Sequence, residues 1–156
     1  MEIEELFDHI KRTLVARPYF PCILLVHTDI GRLNHIAQQL VQRSGWSELA
    51  ISRVLADILI DTPLDQRSAL ASEALTQPLA RLRPGPVVFT DLALLFEPSL
   101  ALEPLALLRR CSRSVPLVAC WPGTYADECL TYAVPDHAHY HTWNTTQLCS
   151  TCIVLL

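Results

Sequence analysis

Three short apolar runs constrain the fold of this chain more than any other feature of its sequence. They begin at Cys22, Val87 and Val115, and segments with helical periodicity separate them. A continuous apolar run is typical of a strand buried on both faces, because a strand with one face in water would alternate. Buried strands that alternate with helices predict an α/β domain, in which helices cover both faces of a mostly parallel sheet.

Apolar residues recur at helical spacing in residues 3–14, 33–41, 51–59 and 70–82, and Pro104 suits the first turn of another helix. We expect one domain over residues 1–156, with an N-terminal helix within residues 1–17. Residues 144–156 would be a C-terminal extension or the last strand. Two proline positions predict local features: a kink at Pro78, and a turn of the chain at Pro122-Gly123.

Composition narrows the functional classes. Apolar residues make up 51% of the 156 residues, but charges interrupt them everywhere, so no stretch approaches the ~18 apolar residues of a membrane span. The acidic N-terminus argues against a secretory signal, and we expect a cytoplasmic protein whose cysteines are reduced. A net charge of −4 argues against strong autonomous DNA binding.

The segment after the first apolar run occupies the place of a Walker A loop, G-x-x-x-x-G-K-[ST]. Gly31 matches the second glycine, but Val26, Arg32 and Leu33 replace the first glycine, the lysine and the hydroxyl residue. Leu33 offers no ligand to Mg²⁺, and Asp29 adds a negative charge where phosphate would lie. A helix N-terminus beside Arg32 leaves weak ATP or anion binding open.

The second apolar run ends in Asp91, as a Walker B strand would. Leu92 stands where many ATPases have a catalytic glutamate, so we expect no enzymatic activity. We therefore interpret Gly31, Arg32 and Asp91 as a degenerate nucleotide or anion site, in a three-layer fold like that of the P-loop NTPases. No catalytic residue and no bound cofactor are predicted.

Several segments in the second half resemble the BrxF family, small P-loop-containing proteins of type 3 BREX bacteriophage-defence systems. They are Leu-Phe-x-Pro at residues 95–98, Trp-Pro-Gly at 121–123, Leu-Thr-Tyr-Ala at 130–133 and His-x-x-Tyr at 137–140. The similarity covers roughly residues 20–145. It implies a bacterial cytoplasmic accessory protein that acts through protein–protein contacts. Its implied partners are a larger ATPase, a methyltransferase and a phosphatase-like protein, with DNA reached through that complex.

Two other functions remain open at this point. The chain could be an active, oligomeric NTPase in which Arg32 replaces the lysine. It could also be a DNA-binding module of the defence complex. Arg109, Arg110 and Arg113 end a predicted helix, where cations complement the helix dipole, but they could also contact phosphate or a partner.

A zinc site is a further hypothesis. His137, His139 and His141 alternate along a predicted strand, and Cys149 and Cys152 have Cys-x-x-Cys spacing. The simpler interpretation, with no metal, places the histidines at the surface or in hydrogen bonds and the cysteines beside a terminal strand.

Overall fold

A computed structural model describes residues 2–16, 20–133, 138–144 and 152–156. Its core is a parallel sheet in the order β2-β3-β4-β1-β7, so the prediction of an α/β fold with a mostly parallel sheet is confirmed. Strands β5 and β6 extend this sheet as antiparallel neighbours of β4. The strands are β1 (Cys22–His27), β2 (Ser47–Ala50), β3 (Val87–Thr90), β4 (Leu117–Ala126), β5 (Cys129–Tyr132), β6 (His141–Trp143) and β7 (Cys152–Leu155).

Helices lie on both faces of the sheet. The first two, α1 (Ile3–Val15) and α2 (Ile30–Ser44), pack on the face that presents Ile23, Leu25 and Val118. The other face is covered by the remaining helices and by 3-10 turns at Ala93–Phe96 and Pro98–Leu100. These helices are α3 (Ile51–Leu59), α4 (Arg67–Ala74), α5 (Thr76–Arg81) and α6 (Pro104–Ser112), and a 3-10 turn at Leu64–Gln66 precedes α4.

Local sequence signals set several helix ends. Gly45 ends α2 in the left-handed conformation, at φ 74°, which glycine adopts without steric cost. Pro104 occupies the first turn of α6, and the Glu103 side chain accepts a hydrogen bond from the Leu105 N–H. None of the described helices combines the length and the apolar character that crossing a bilayer would need.

The expected kink at Pro78 is instead a break at Leu75, which separates α4 from α5. Because proline has no N–H and fits the first turn of a helix, Pro78 is accommodated within the first turn of α5.

The prediction of a turn at Pro122-Gly123 is wrong. Strand β4 continues through both residues to Ala126, because β5 pairs with it from Gly123 onward. The chain reverses at Asp127 and Glu128, which both have positive φ, 50° and 59°. Two positive φ values define the hairpin turn that matches strand twist, although glycine or asparagine is its usual signal.

Gly123 tests this arrangement. A Cβ built there would lie 1.8 Å from the Thr131 carbonyl oxygen, so any side chain must push β5 away from β4. We expect Gly123→Ala to lower the free energy of unfolding by roughly 2–3 kcal/mol, the scale of a steric overpacking. Urea unfolding followed by tryptophan fluorescence measures this.

Gly45→Ala is the matched control. Nothing lies within 4 Å of its added Cβ, so only the positive φ is penalised, by about 1 kcal/mol. Equal losses in the two variants would contradict the close approach at Gly123.

Candidate functional site

The segment compared with a Walker A loop contains almost no loop. Strand β1 runs to His27 and α2 begins at Ile30, so only Thr28 and Asp29 connect them. Val26 lies inside the strand, and Gly31 lies in the first turn of the helix. A backbone cradle for phosphate needs several consecutive N–H groups in an open loop, and this connection is too short to supply them.

Asp29 occupies the N-terminus of α2. Its Oδ1 accepts a hydrogen bond from the Arg32 N–H at 3.2 Å, and its own N–H donates to His27 Nδ1 at 2.8 Å. The carboxylate therefore takes the position that an anion would take and brings its own negative charge to the positive end of the helix.

Asp91 follows β3 at the same end of the sheet. Its φ is 52°, and its carbonyl oxygen accepts hydrogen bonds from the Ser52 N–H at 2.9 Å and the Ser52 Oγ at 2.7 Å. The exposed Asp91 side chain shares a cavity of about 50 Å³ with Asn34 and Cys120, among other residues. That volume holds a water molecule or two, whereas small-molecule sites measure roughly 300–1,000 Å³.

Arg32 does not face Asp91. It lines a different cavity, of about 40 Å³, with Ile3 and Leu6 of α1 and with Leu156. Asn34, two residues further along α2, is the residue that faces Asp91, and two residues correspond to roughly 200° around a helix. The structure thus brings Gly31 and Arg32 together on α2 but places Arg32 and Asp91 on separate cavities.

The three arginines of α6 lie at the opposite end of the sheet. Arg109 and Arg113 place their guanidinium carbons 5.5 and 6.0 Å from the centre of the Phe20 ring, just before β1 begins. Arg110 is exposed beside them. The amino ends of the strands meet there, so these arginines cannot join Asp91 in one site of the same molecule.

The described members of the zinc set are also separated. Cys152 pairs with Ile23 near the amino end of the sheet, whereas His141 pairs with Tyr132, which pairs with Gly123 of β4. Five residues of β4 separate these levels, about 16 Å along the strand. His137 and Cys149 lie outside the described residues, and within those residues no group of three or more His, Cys, Asp or Glu could hold a metal ion.

The thiols of Cys22, Cys111 and Cys120 are buried in the apolar core. Burial raises the pKa of Cys22 to about 12, with a smaller contribution from Cys111, and burial raises the pKa of Cys120 to about 12. A thiol with so high a pKa is a poor nucleophile at neutral pH. The five described cysteines form no disulfide with one another.

Three of the segments compared with the BrxF family contribute Phe96, Trp121 and Tyr132 to one aromatic cluster, and Trp143 of β6 completes it. Phe96 stacks on Tyr132 with ring centres 3.7 Å apart, and Trp121 meets Trp143 edge-on at 5.0 Å. Both indoles also find acceptors, since Trp121 Nε1 donates to the Thr131 carbonyl at 2.8 Å and Trp143 Nε1 donates to Glu103 Oε1 at 3.2 Å. The cluster is therefore part of the core.

A groove of about 290 Å³ lies beside this cluster, and we call it the aromatic–acidic groove. It is lined by Leu95, Phe96, Glu97, Pro98, Ala101, Leu102, Glu103, Pro104, Ala138, His139, Tyr140, His141 and Trp143. Glu97 Oε2 lies 3.7 Å from His139 Nε2, and His141 meets the Trp143 ring at 4.5 Å. Of the residues predicted to bind metal, His139 and His141 thus belong to this groove.

Sequence reasoning missed Glu97 and Glu103. Each is a glutamate directly before a proline, and each caps the short helix that the proline starts. An acid followed by Pro at the first helical position is a recognisable capping signal, and it could have placed both carboxylates at one end of the sheet.

The positive φ of Asp91 gives a prediction. A left-handed conformation costs a residue with a bulky Cβ about 1–2 kcal/mol, and glycine escapes this cost. We expect Asp91→Val to lower the free energy of unfolding by that amount and Asp91→Gly to leave it unchanged or raise it. Both variants lose the carboxylate, so chemical denaturation that finds them equally stable would contradict a backbone origin.

Comparisons with known proteins identify no relative. No family model matches the chain, and no match was found among curated proteins or solved structures.

Proposed function

We propose that this chain is a P-loop-NTPase-like accessory protein that neither binds nor hydrolyses a nucleotide and that acts through protein–protein contacts. The observation behind this proposal is the two-residue connection between β1 and α2, in which the Asp29 carboxylate caps the helix. A nucleoside triphosphate would have to displace that carboxylate, and the chain lacks the loop that would bind its phosphates.

The positions of the two candidate segments are compatible with a P-loop-like fold. Strand β4 lies between β1, which precedes the two-residue connection, and β3, which precedes Asp91. Ligands of such sheets sit at the carboxyl ends of the strands, where Asp29 and Asp91 both lie.

The cellular role comes from the resemblance to the BrxF family. Under this proposal the chain is a cytoplasmic component of a BREX-like anti-phage system, bound to the larger ATPase, the methyltransferase or the phosphatase-like protein. Two of the segments that carry this resemblance contribute residues 95–98 and Tyr140 to the groove, and a groove with an exposed aromatic side chain suits a contact surface better than catalysis.

An active NTPase that uses Arg32 is less well supported, because Arg32 lines a cavity on the α1 side of α2. One observation favours a DNA-binding role: Arg109, Arg110 and Arg113 lie together at one end of the molecule. The net charge of −4 favours DNA contact through the complex over binding by the isolated chain.

The nucleotide part is tested by isothermal titration with Mg-ATP. We expect no binding heat beyond dilution at Mg-ATP concentrations up to about 1 mM. A Kd of about 1 mM corresponds to a binding free energy of about −4 kcal/mol. Micromolar binding that is lost in both Arg32→Ala and Asp91→Ala would overturn the proposal and restore the active-NTPase hypothesis. Unfolding curves of both variants confirm that they are folded.

The partner part is tested by co-expression with the proteins encoded beside it. We expect the chain to co-elute in size-exclusion chromatography with at least one of these proteins, and at a 1:1 or other fixed ratio. Elution of the chain alone from every pairwise co-expression would contradict the accessory role. That result would leave the prediction for Mg-ATP binding unchanged.

A further inference from the structure

The aromatic–acidic groove has a chemistry that plays no part in the candidate nucleotide site. We propose that it binds the guanidinium group of an arginine side chain presented by a partner protein. The inference rests on the proposed role in protein–protein contacts, for which it supplies the chemistry of one contact. It does not depend on whether a nucleotide binds near Asp29 and Asp91.

Two carboxylates set the charge of the groove. Glu97 and Glu103 are in its lining, and the described lining contains no lysine or arginine. His139 Nε2 lies 3.7 Å from Glu97 Oε2, and His141 packs on the Trp143 ring. The two carboxylates are the acidic side chains of the described lining, and a cation would complement their charge.

Hydrogen bonds hold both carboxylates in place. Glu103 Oε1 accepts from the Leu105 N–H at 3.3 Å and from Trp143 Nε1 at 3.2 Å. Glu97 Oε1 accepts from the Ser99 N–H at 3.4 Å and from the Ser99 Oγ at 3.1 Å. Each carboxylate is thus oriented through its Oε1, which lowers the cost of ordering the side chain when a ligand binds. At Glu97 the ligand would share Oε2 with His139, whose Nε2 lies 3.7 Å away.

The walls of the groove favour a planar, weakly hydrated cation. Tyr140 contributes an exposed aromatic ring, and Pro98 and Leu102 contribute apolar surface, whereas Phe96 and Trp143 are buried, with 8% and 2% of their surface exposed. Arginine stacks on aromatic rings and pairs with carboxylates in a fork geometry, whereas the lysine ammonium is compact and strongly hydrated. We therefore choose arginine among the cationic side chains.

The size of the groove selects a side chain over a larger ligand. Its volume of about 290 Å³ lies at the lower limit of small-molecule sites, and it accommodates one arginine with the adjoining backbone. A bound metal ion is a poorer fit, because the described carboxylates and imidazoles do not form a group of three or more that could ligate one.

The experiment follows the indole N–H of Trp143 by NMR in the ¹⁵N-labelled full chain, assigned with Trp143→Phe. This proton donates to Glu103, so a ligand at that carboxylate must change its environment. The probe is the peptide acetyl-Gly-Arg-Gly-amide, and the control peptide carries neutral citrulline in place of arginine. We expect the arginine peptide to shift the resonance with a millimolar Kd, and the citrulline peptide to bind at least fivefold more weakly.

Glu97→Gln keeps the shape of the side chain and removes its charge, and we expect it to weaken the arginine peptide at least fivefold. Glu73→Gln is the matched control, since Glu73 is an exposed acid on α4 and not part of the groove, and its affinity should equal that of the wild type. Unfolding curves for both variants show whether they are folded to the same extent.

Three outcomes would overturn the proposal. They are equal responses to the arginine and citrulline peptides, an unchanged affinity in Glu97→Gln, and a Trp143 shift that depends on protein concentration without peptide. The last would make a second copy of this chain the occupant. None of these results bears on the Mg-ATP titration, so failure of this inference and failure of the proposed function are separable.

Discussion

The close approach of β4 and β5 at Gly123 is the contact on which the second half of the structure depends. Strand β4 pairs in parallel with β1 and β3 and then leaves the parallel sheet to pair with β5. The Trp121 indole donates to the Thr131 carbonyl at the point where Gly123 leaves no room for a Cβ. This contact sets the register of the β5–β6 extension, which carries Tyr132 and Trp143 onto Phe96.

The two ends of the parallel sheet differ in chemistry. The carboxyl end of the sheet carries Asp29, Asp91 and the two groove glutamates, whereas the amino end carries the arginines that end α6. Cations at helix C-termini and acids at helix N-termini each stabilise their helices, and a parallel α/β layout collects the two kinds of helix end on opposite sides. The charge asymmetry is therefore partly a consequence of the fold, and function can use it.

Local signals in the sequence predicted the layers but not the connections between them. Apolar runs and helical periodicity were enough for β1, β3, β4 and the flanking helices, because burial sets those patterns. The hairpin at Asp127-Glu128 contains no glycine or asparagine, and the pairing of β5 overrides the turn tendency of Pro122-Gly123. The groove combines two regions distant in sequence, residues 95–104 and 138–143, so periodicity could not show it.

The comparison with a Walker A loop points to the connection between β1 and α2, but it leaves out part of the chemistry of that connection. From the sequence, the replaced glycine, lysine and hydroxyl are losses, and Asp29 adds a negative charge where phosphate would lie; the structure adds that the Asp29 carboxylate caps α2. In a phosphate loop the bound anion satisfies the free N–H groups of the helix. Here the Asp29 carboxylate accepts from one of these groups, the Arg32 N–H, from within the chain, and such a cap is worth about 1 kcal/mol of stability. The helix N-terminus is therefore capped without a ligand, and a lysine in place of Arg32 alone would leave both the short connection and the capping carboxylate in place.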